Sequence, residues 1–364
     1  MKVGIITIND TNPNYGNRLQ NYAVHRIMLK QGVEPTTLYV EDELPISLKQ
    51  NIKYMIHKTT KFTRCKNAVY WKNIYPKLIK FKKFNSKYIP TRRINTLDEI
   101  SDQYEYFAIG SDQVWNPTWY KHCLIKKDAY LLTFANQDQK ICMSPSFGIS
   151  ELPKEWEDHF RKSLKLFDNI SVREEAGAEI VKNLTGKEAE VLIDPTLMLD
   201  KNEWIKIQNK PQAIDTEKEY ILTYFIAEKS DETLNYIKWL ESKYNLKVYN
   251  LLDYTQPDLY LADPSEFIYL INKAKLVLTD SFHACIFSFI FAKPFQVFTR
   301  NGAGNNMMSR IETLLRKFDL ERKLYVNKFQ NDIFECDYHN GYNKLAQEQL
   351  KTREFISKSL KNIK

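Results

Sequence analysis

A chain of 364 residues, 43% apolar and 27% charged, is long for one hydrophobic core and comfortable for two, and this composition excludes a disordered or fibrous protein. No apolar run approaches the ~20 residues that span a bilayer, and the opening MKVGIITIND reads as a strand, not a signal peptide. The net charge of +8 is uneven: fourteen of the 53 Lys and Arg residues lie between Leu44 and Leu97, where there is no Asp or Glu, and the rest of the chain is acidic.

Val3 to Ile8 (VGIITI) is continuous in apolar and β-branched residues, as buried parallel strands are. A loop rich in turn formers, Asn9 to Gly16, leads to a helix over Asn17 to Lys30 and a second strand over Thr36 to Val40. Gly16 stands alone without the GxGxxG spacing, so a dinucleotide site is not expected. The basic segment, about 44–97, follows as an insertion in which Tyr54, Phe62, Tyr70, Trp71, Tyr75, Phe81, Phe84 and Tyr88 interleave with lysines. It is either a helical insertion whose lysines face water, or a patch that docks on anionic lipid headgroups or a polyanionic acceptor. No nucleic-acid-binding module is recognisable, so nucleic acid is not an expected partner.

Tyr106 to Gly110 (YFAIG) is a buried strand that ends in polar Ser111 and Asp112, the mark of a carboxyl-edge loop; an Asx turn explains Asp112 equally well. After a short strand over Ile141 to Ser144, Pro153 to Phe167 is an amphipathic helix, and Asn169 to Arg173 a strand with Arg173 at its tip. The helix Glu174 to Leu184 and the strand Glu190 to Ile193 lead to another strand-end turn, Asp194-Pro195-Thr196. Asp200 to Glu219 has charge, Pro211 and little periodicity, which suits a linker. The alternation then restarts: strand Tyr220 to Ile226, helix Asp231 to Tyr244, strand Lys247 to Leu252 and helix Ser265 to Ala274. The stretch Leu276 to Phe295 turns an apolar strand into an apolar helix across polar Thr279-Asp280-Ser281, and His283 falls at that break. Such a break lies at the carboxyl edge of a sheet, and the first turn of the helix suits an anion. A glycine- and asparagine-rich loop (Thr299 to Asn306) and a helix over Met307 to Phe318 come next.

Two runs of alternating strand and helix predict an α/β chain with two Rossmann-like domains facing across a cleft. The expected boundaries are 1–200 for the first domain, 201–335 for the second and 336–364 for a helical tail. Five scattered cysteines without CxxC pairing read as reduced thiols of a cytoplasmic protein. Cys285 lies two residues past His283, but positions i and i+2 of a helix point apart, which argues against a Cys/His nucleophile. His25 reads as structural, and no histidine shows metal-ligand spacing, so no metal is expected.

The strand-end loops resemble those of the polysaccharide pyruvyl transferase family. The matching stretches are Asn14-Tyr15-Gly16-Asn17-Arg18-Leu19-Gln20-Asn21-Tyr22, Gly110-Ser111-Asp112-Gln113-Val114-Trp115-Asn116, Ser171-Val172-Arg173-Glu174, Asp194-Pro195-Thr196, Thr279-Asp280-Ser281-Phe282-His283 and Asn306-Met307-Met308-Ser309-Arg310-Ile311-Glu312. The resemblance implies a fold like that of two-domain GT-B glycosyltransferases. It also implies transfer of the enolpyruvyl unit of phosphoenolpyruvate, as co-substrate and without a further cofactor, onto a sugar of a surface polysaccharide or its lipid-linked precursor, to form a pyruvate ketal. His283 then matches the catalytic histidine and Arg173 a donor-binding arginine. Ser281, Phe282, Asn17, Arg18 and Arg310 fall at the donor side, and Asn14, Gly16, Ser111, Asp112 and Asp280 along the substrate cleft. Many members carry Arg-Leu-His where this chain has Ser281-Phe282-His283, so one cation is displaced, with Arg310 or Arg18 as its replacement. Ala284 also stands where Gly is common.

Phosphoenolpyruvate bears a carboxylate and a phosphate, and a planar guanidinium such as that of Arg173 grips either group through two hydrogen bonds. A histidine near its ordinary pKa can exchange a proton with the enol carbon or the leaving phosphate. The bland alternatives are a His283 that merely caps its own helix and an Arg173 paired with a neighbouring acid. A nucleotide-sugar glycosyltransferase and a non-catalytic glycan-binding protein are the competing functions, because one fold hosts several. The expected setting is the cytoplasm, at the inner face of the membrane if the basic segment docks there.

Overall fold

The computed structural model describes the chain except for residues 10–12, 41–65, 121–123, 213, 301–307, 327–332 and 361–364. The first part of the basic segment, most of the glycine- and asparagine-rich loop, and the Asn306-Met307 pair of the last matching stretch therefore lie outside the described residues.

The first sheet is five parallel strands in the order β3-β2-β1-β4-β5. These are β1 (Lys2–Ile6), β2 (Glu34–Val40), β3 (Thr91–Ile94), β4 (Tyr106–Asp112) and β5 (Lys140–Pro145). The chain starts at the centre, winds outward to β3 and returns to lay β4 on the other side of β1. The strand order thus reverses between β1 and β4, and at such a switch point the two following loops diverge and leave a crevice. A short parallel pair, β6 (Ser171–Val172) and β7 (Glu190–Val191), continues beyond β5, where Arg173 N–H donates to Pro145 O at 3.1 Å.

The second sheet repeats the logic in the order β11-β10-β8-β9, again all parallel. Its strands are β8 (Tyr220–Tyr224), β9 (Lys247–Asn250), β10 (Leu276–Thr279) and β11 (Phe295–Val297). The reversal here falls between β8 and β10, which puts Thr279-Asp280-Ser281 at the second switch point. The expected class, two Rossmann-like units facing each other, is the class observed.

The helix Tyr15–Lys30 joins the halves. It is polar by sequence yet buried along nearly its whole length, including Asn17, Arg18, Gln20, Asn21 and His25. The reason is that both sides are covered: Tyr15 stacks on Phe267 (4.4 Å between ring centres) and its hydroxyl donates to Ala262 O at 2.9 Å. The C-terminal helix His339–Leu360 crosses back the other way. Its Tyr342 hydroxyl donates to Phe289 O (2.7 Å), Gln349 to Leu197 O (2.6 Å), and Phe355 joins the core of the first sheet. Among the described residues no helix is long and apolar enough to cross a membrane.

Two local expectations change. The described part of the basic segment is not an insertion on a finished sheet: helix Lys66–Tyr88 is the crossover from β2 to β3, and β3 is an edge strand of the sheet. Nor do all its lysines face water. Lys77 is 1% exposed, with its amine 5.0 Å from the centre of the Tyr15 ring and 4.4 Å from that of Tyr260, and burial pulls its pKa down to about 7. The linker also holds a short helix, Lys201–Ile205, capped reciprocally by Asp200 and Glu203. It presents Trp204, fully buried, edge-on to Phe287 at 4.8 Å. Five residues are too few to show periodicity, although the D-x-x-E capping signature was present.

His25 is structural, and the hydrogen bonds define its tautomer. The single proton of the Thr37 hydroxyl goes to Asn21 Oδ1 (2.9 Å), so Thr37 Oγ1 accepts from His25 Nε2–H at 2.7 Å. Nδ1 is buried without a partner. Burial lowers the pKa to about 4, below the ordinary unfolded value of ~6.5. Stability is therefore fully present above ~6.5 and falls as pH drops toward about 4, by up to ~3 kcal/mol from this one group. Urea unfolding at neutral and mildly acid pH is expected to show that loss, and His25→Gln to remove most of it; an unchanged acid slope in the variant would contradict the assignment.

Candidate active site between the two sheets

The two switch points bring their loops together, and what meets there is a cluster of buried charge. From the first half come Asn17 and Gly16 after β1, Asp112 at the end of β4, Arg173 after β6 and Asp194 after β7. From the second come Phe282 and His283 after β10, and Arg310 on the helix Met308–Lys317.

Asp112 is the hub on one side. Its Oδ2 accepts from Asn17 Nδ2 (2.5 Å), and its Oδ1 from Gln113 N–H (2.9 Å) and Arg173 Nη2 (3.2 Å), with Arg310 Nη1 at 3.8 Å. Its φ of 66° lies in the left-handed region, uncommon for a non-glycine residue, and these donors hold it there. Asp194 is the hub on the other side, and it is fully buried. Oδ2 accepts from Arg173 Nη1 at 2.6 Å and lies 3.8 Å from His283 Nε2 and 3.5 Å from the Ser111 hydroxyl. Oδ1 accepts from the Thr196 amide (2.9 Å) and hydroxyl (2.6 Å). Arg173 is thus clamped between two carboxylates, and its guanidinium lies over the Phe282 ring at 4.7 Å; Arg310 approaches the same ring at 5.8 Å.

These neighbours set the ionisation. For Arg173, burial works against the charge but Asp194, Asp112 and Glu174 outweigh it, so the pKa rises. Burial likewise opposes the Asp194 charge, yet Arg173, His283 and the Thr196 donors bring its pKa below the usual value. His283 goes the other way: burial lowers its pKa, Arg173 and Arg310 add to that, and the two carboxylates offset only part. The imidazole is therefore neutral at neutral pH, and Arg173 is the cation that keeps Asp194 ionised. Arg310, buried beside another arginine, drops to about 10.

Three nitrogens in this cluster are buried with no hydrogen-bond partner: Arg173 Nε, Arg310 Nε and His283 Nε2. Buried polar atoms are normally satisfied, and unpaired guanidinium nitrogens on Arg173 and Arg310 are donors that suit an anionic ligand. Gly16 leaves the room for His283. A Cβ added there would stand 2.0 Å from Nδ1 of the ring, 2.5 Å from Cε1 and 2.6 Å from Cγ. Gly16→Ala is expected to push the ring out of place and reduce turnover far more than stability; a variant as active as the parent would show that the ring position does not matter.

The other expected site residues have other duties. Asn14 caps the Tyr15 helix by accepting from Asn17 N–H (3.2 Å), and Ser281 caps the Phe282 helix by accepting from Ala284 N–H (3.5 Å). Asp280 spends both oxygens on loop structure, accepting from Ile226 and Ala227 amides (2.7 and 2.9 Å) and from Arg300 Nε (3.1 Å). Ser111 bonds inward, its hydroxyl to Ser144 O (2.8 Å) and its amide to Gln20 Oε1 (2.9 Å). Of the two candidate replacement cations, Arg310 is the one that joins Arg173 at Phe282, while Arg18 is buried on the Tyr15 helix. Cys285 is fully buried with its thiol pKa driven up by burial, so it is not a poised nucleophile. Asp194 was not among the expected site residues; the polar D-P-T turn directly after a strand was the available signal.

Fold and cluster together define an α/β protein of GT-B-like architecture, two Rossmann-like halves with buried arginines, carboxylates and one neutral histidine between them. A family model described as polysaccharide pyruvyl transferase matches residues 14–302, and the chain belongs to that family. No curated protein matches the sequence. Among solved structures it is similar to UDP-GlcNAc 2-epimerase from Neisseria meningitidis bound to UDP-GlcNAc (11% identity, TM-score 0.43, covering 96% of this chain and 100% of that one). It is also similar to MnaA of S. aureus in a co-structure with UDP (12% identity, TM-score 0.48, 98% and 91% covered). A third is the N-terminal domain of trehalose-6-phosphate phosphatase from Candida albicans (11% identity, TM-score 0.46, 100% and 97% covered). These are distant likenesses and say nothing of activity.

Proposed function

We propose that the protein transfers the enolpyruvyl unit of phosphoenolpyruvate to a saccharide of a surface polysaccharide or its lipid-linked precursor, forming a pyruvate ketal and releasing phosphate. Support comes from membership of the family and, above all, from the orphaned Arg173, Arg310 and His283 nitrogens around Phe282. A donor with two anionic groups needs two cationic grips, and the arginines offer them on one ring, which makes up for Ser281 at the position where many members carry arginine. The Phe282 helix adds its N-terminal dipole.

The chemistry follows from charge. As the methylene carbon of the enol takes up a proton, the adjacent carbon becomes electrophilic and one sugar hydroxyl attacks it. Phosphate then leaves with its bonding electrons, a second hydroxyl attacks the same carbon, and the two hydroxyl protons balance the one delivered and the one carried off with phosphate. His283 is neutral in the empty site. The negative charge of an arriving donor would raise its pKa, so donor binding loads the proton that the first step consumes. Asp194, 3.8 Å away, stabilises the resulting imidazolium through its charge.

The test is to incubate the protein with phosphoenolpyruvate and a lipid-linked oligosaccharide, expecting phosphate release together with a ~70 Da gain on the sugar, the mass of one ketalated pyruvyl unit. A protein that releases nucleoside diphosphate from a nucleotide sugar, without forming a ketal, would overturn the proposal.

A further inference from the structure

The basic crossover helix Lys66–Tyr88 carries seven lysines and no acid, and its described part separates them by face. Ile74, Lys77, Phe81 and Phe84 are buried, at spacings of three and four residues, and pack toward the Tyr15 helix. Ile79, Lys82, Lys83, Ser86 and Lys87 are exposed at the same spacings, so they form one outward stripe, with Ile79 41% exposed among the cations. A solvated helix of an acidic protein body has no need of a face with cations alone; alternating signs would serve solubility better.

The position of the helix adds to its charge. Its inward face touches the loop that builds the candidate site: Phe81 packs on Tyr15 (5.2 Å between ring centres), and Asn85 Nδ2 donates to Asn9 Oδ1 at 3.3 Å. Tyr15 precedes Gly16, which lies against His283. The outward stripe is therefore one helix thickness from the segment that seats the histidine.

We propose that this stripe docks the protein on an anionic membrane surface, holding the interdomain site next to acceptors carried in that membrane. The partner is the layer of acidic lipid headgroups, chosen by charge complementarity with Lys82, Lys83 and Lys87, and Ile79 enters the headgroup boundary between them. Only the purpose of docking rests on the lipid-linked acceptor suggested above; the binding itself does not.

The experiment is sedimentation of the full chain with vesicles of phosphatidylcholine alone and of equal phosphatidylcholine and phosphatidylglycerol. Binding is expected to the second only, and to weaken as salt rises. Each lysine near such a surface contributes about five-fold, so K82Q, K83Q and K87Q combined are expected to weaken binding roughly a hundred-fold. Phosphate release with a soluble saccharide acceptor should be unchanged in that variant, because none of the three touches the site. Binding indifferent to phosphatidylglycerol, or equal in the triple variant, would overturn the proposal. So would equally tight, lysine-dependent binding to soluble polyphosphate, which would make the stripe a general polyanion surface. Vesicle binding without any pyruvyl transfer would leave docking supported and the proposed reaction refuted.

Discussion

His283→Gln is expected to lower pyruvyl transfer by about 10²–10⁴-fold while leaving the fold intact. The imidazole is nearly buried, at 8% exposure, but none of its own hydrogen bonds anchors a neighbouring element, and Nε2 has no partner. Gln fills similar space and cannot cycle a proton near neutral pH. Thermal unfolding of the variant should match the parent within about 1 kcal/mol, the scale of one modest contact. An active variant would remove His283 from the chemistry, and an inactive one that has also unfolded would be answered by His283→Asn. The pH profile supplies a second readout. Because the first step consumes the proton held on His283, kcat/KM should fall as pH rises through the His283 pKa of the free protein, which burial holds below its ordinary value.

Arg173→Met should be different in kind, because it strikes stability as well as donor binding. Arg173 is 4% exposed and is the shared partner of Asp194 at 2.6 Å and Asp112 at 3.2 Å. Removing it strands two buried carboxylates, and breaking a buried pair by deleting one partner costs about 3–5 kcal/mol. The loss has a pH signature: with its cation gone, Asp194 should take up a proton more readily, so Arg173→Met loses less stability at mildly acid pH than at neutral pH. Chemical denaturation at two pH values measures both, and a variant as stable as the parent at neutral pH would contradict the clamp. Combining Arg173→Met with Asp194→Asn should recover part of the stability but none of the donor binding.

How much of this was visible in the chain itself depends on how local the cause is. Strand-to-helix breaks are local, so the polar tips after β1, β4, β6, β7 and β10 stood out, and their common place at carboxyl edges gave the two-sheet architecture. His283 and Arg173 were legible for the same reason. Asp194 was visible only as a turn residue, because what makes it part of the site is Arg173 21 residues away and a histidine from the other half. Choosing Arg310 over Arg18 required three dimensions, since both are one arginine on one helix until Arg310 is found beside Arg173 at the Phe282 ring. Strand β3 escaped because an edge strand of sequence TRRI buries only Ile94 and its arginines read as part of a charge run. The burial of a polar helix such as Tyr15–Lys30 escaped because periodicity reports one apolar face and not a helix covered on both sides.

Calorimetric titration of phosphoenolpyruvate into the protein, in buffers of different ionisation enthalpy, tests whether the cluster around Phe282 is the phosphoenolpyruvate site. Saturable binding with net proton uptake near neutral pH is expected, with the uptake lost in His283→Gln and the affinity lost in Arg310→Met. Absence of binding, or binding that neither variant alters, would contradict it.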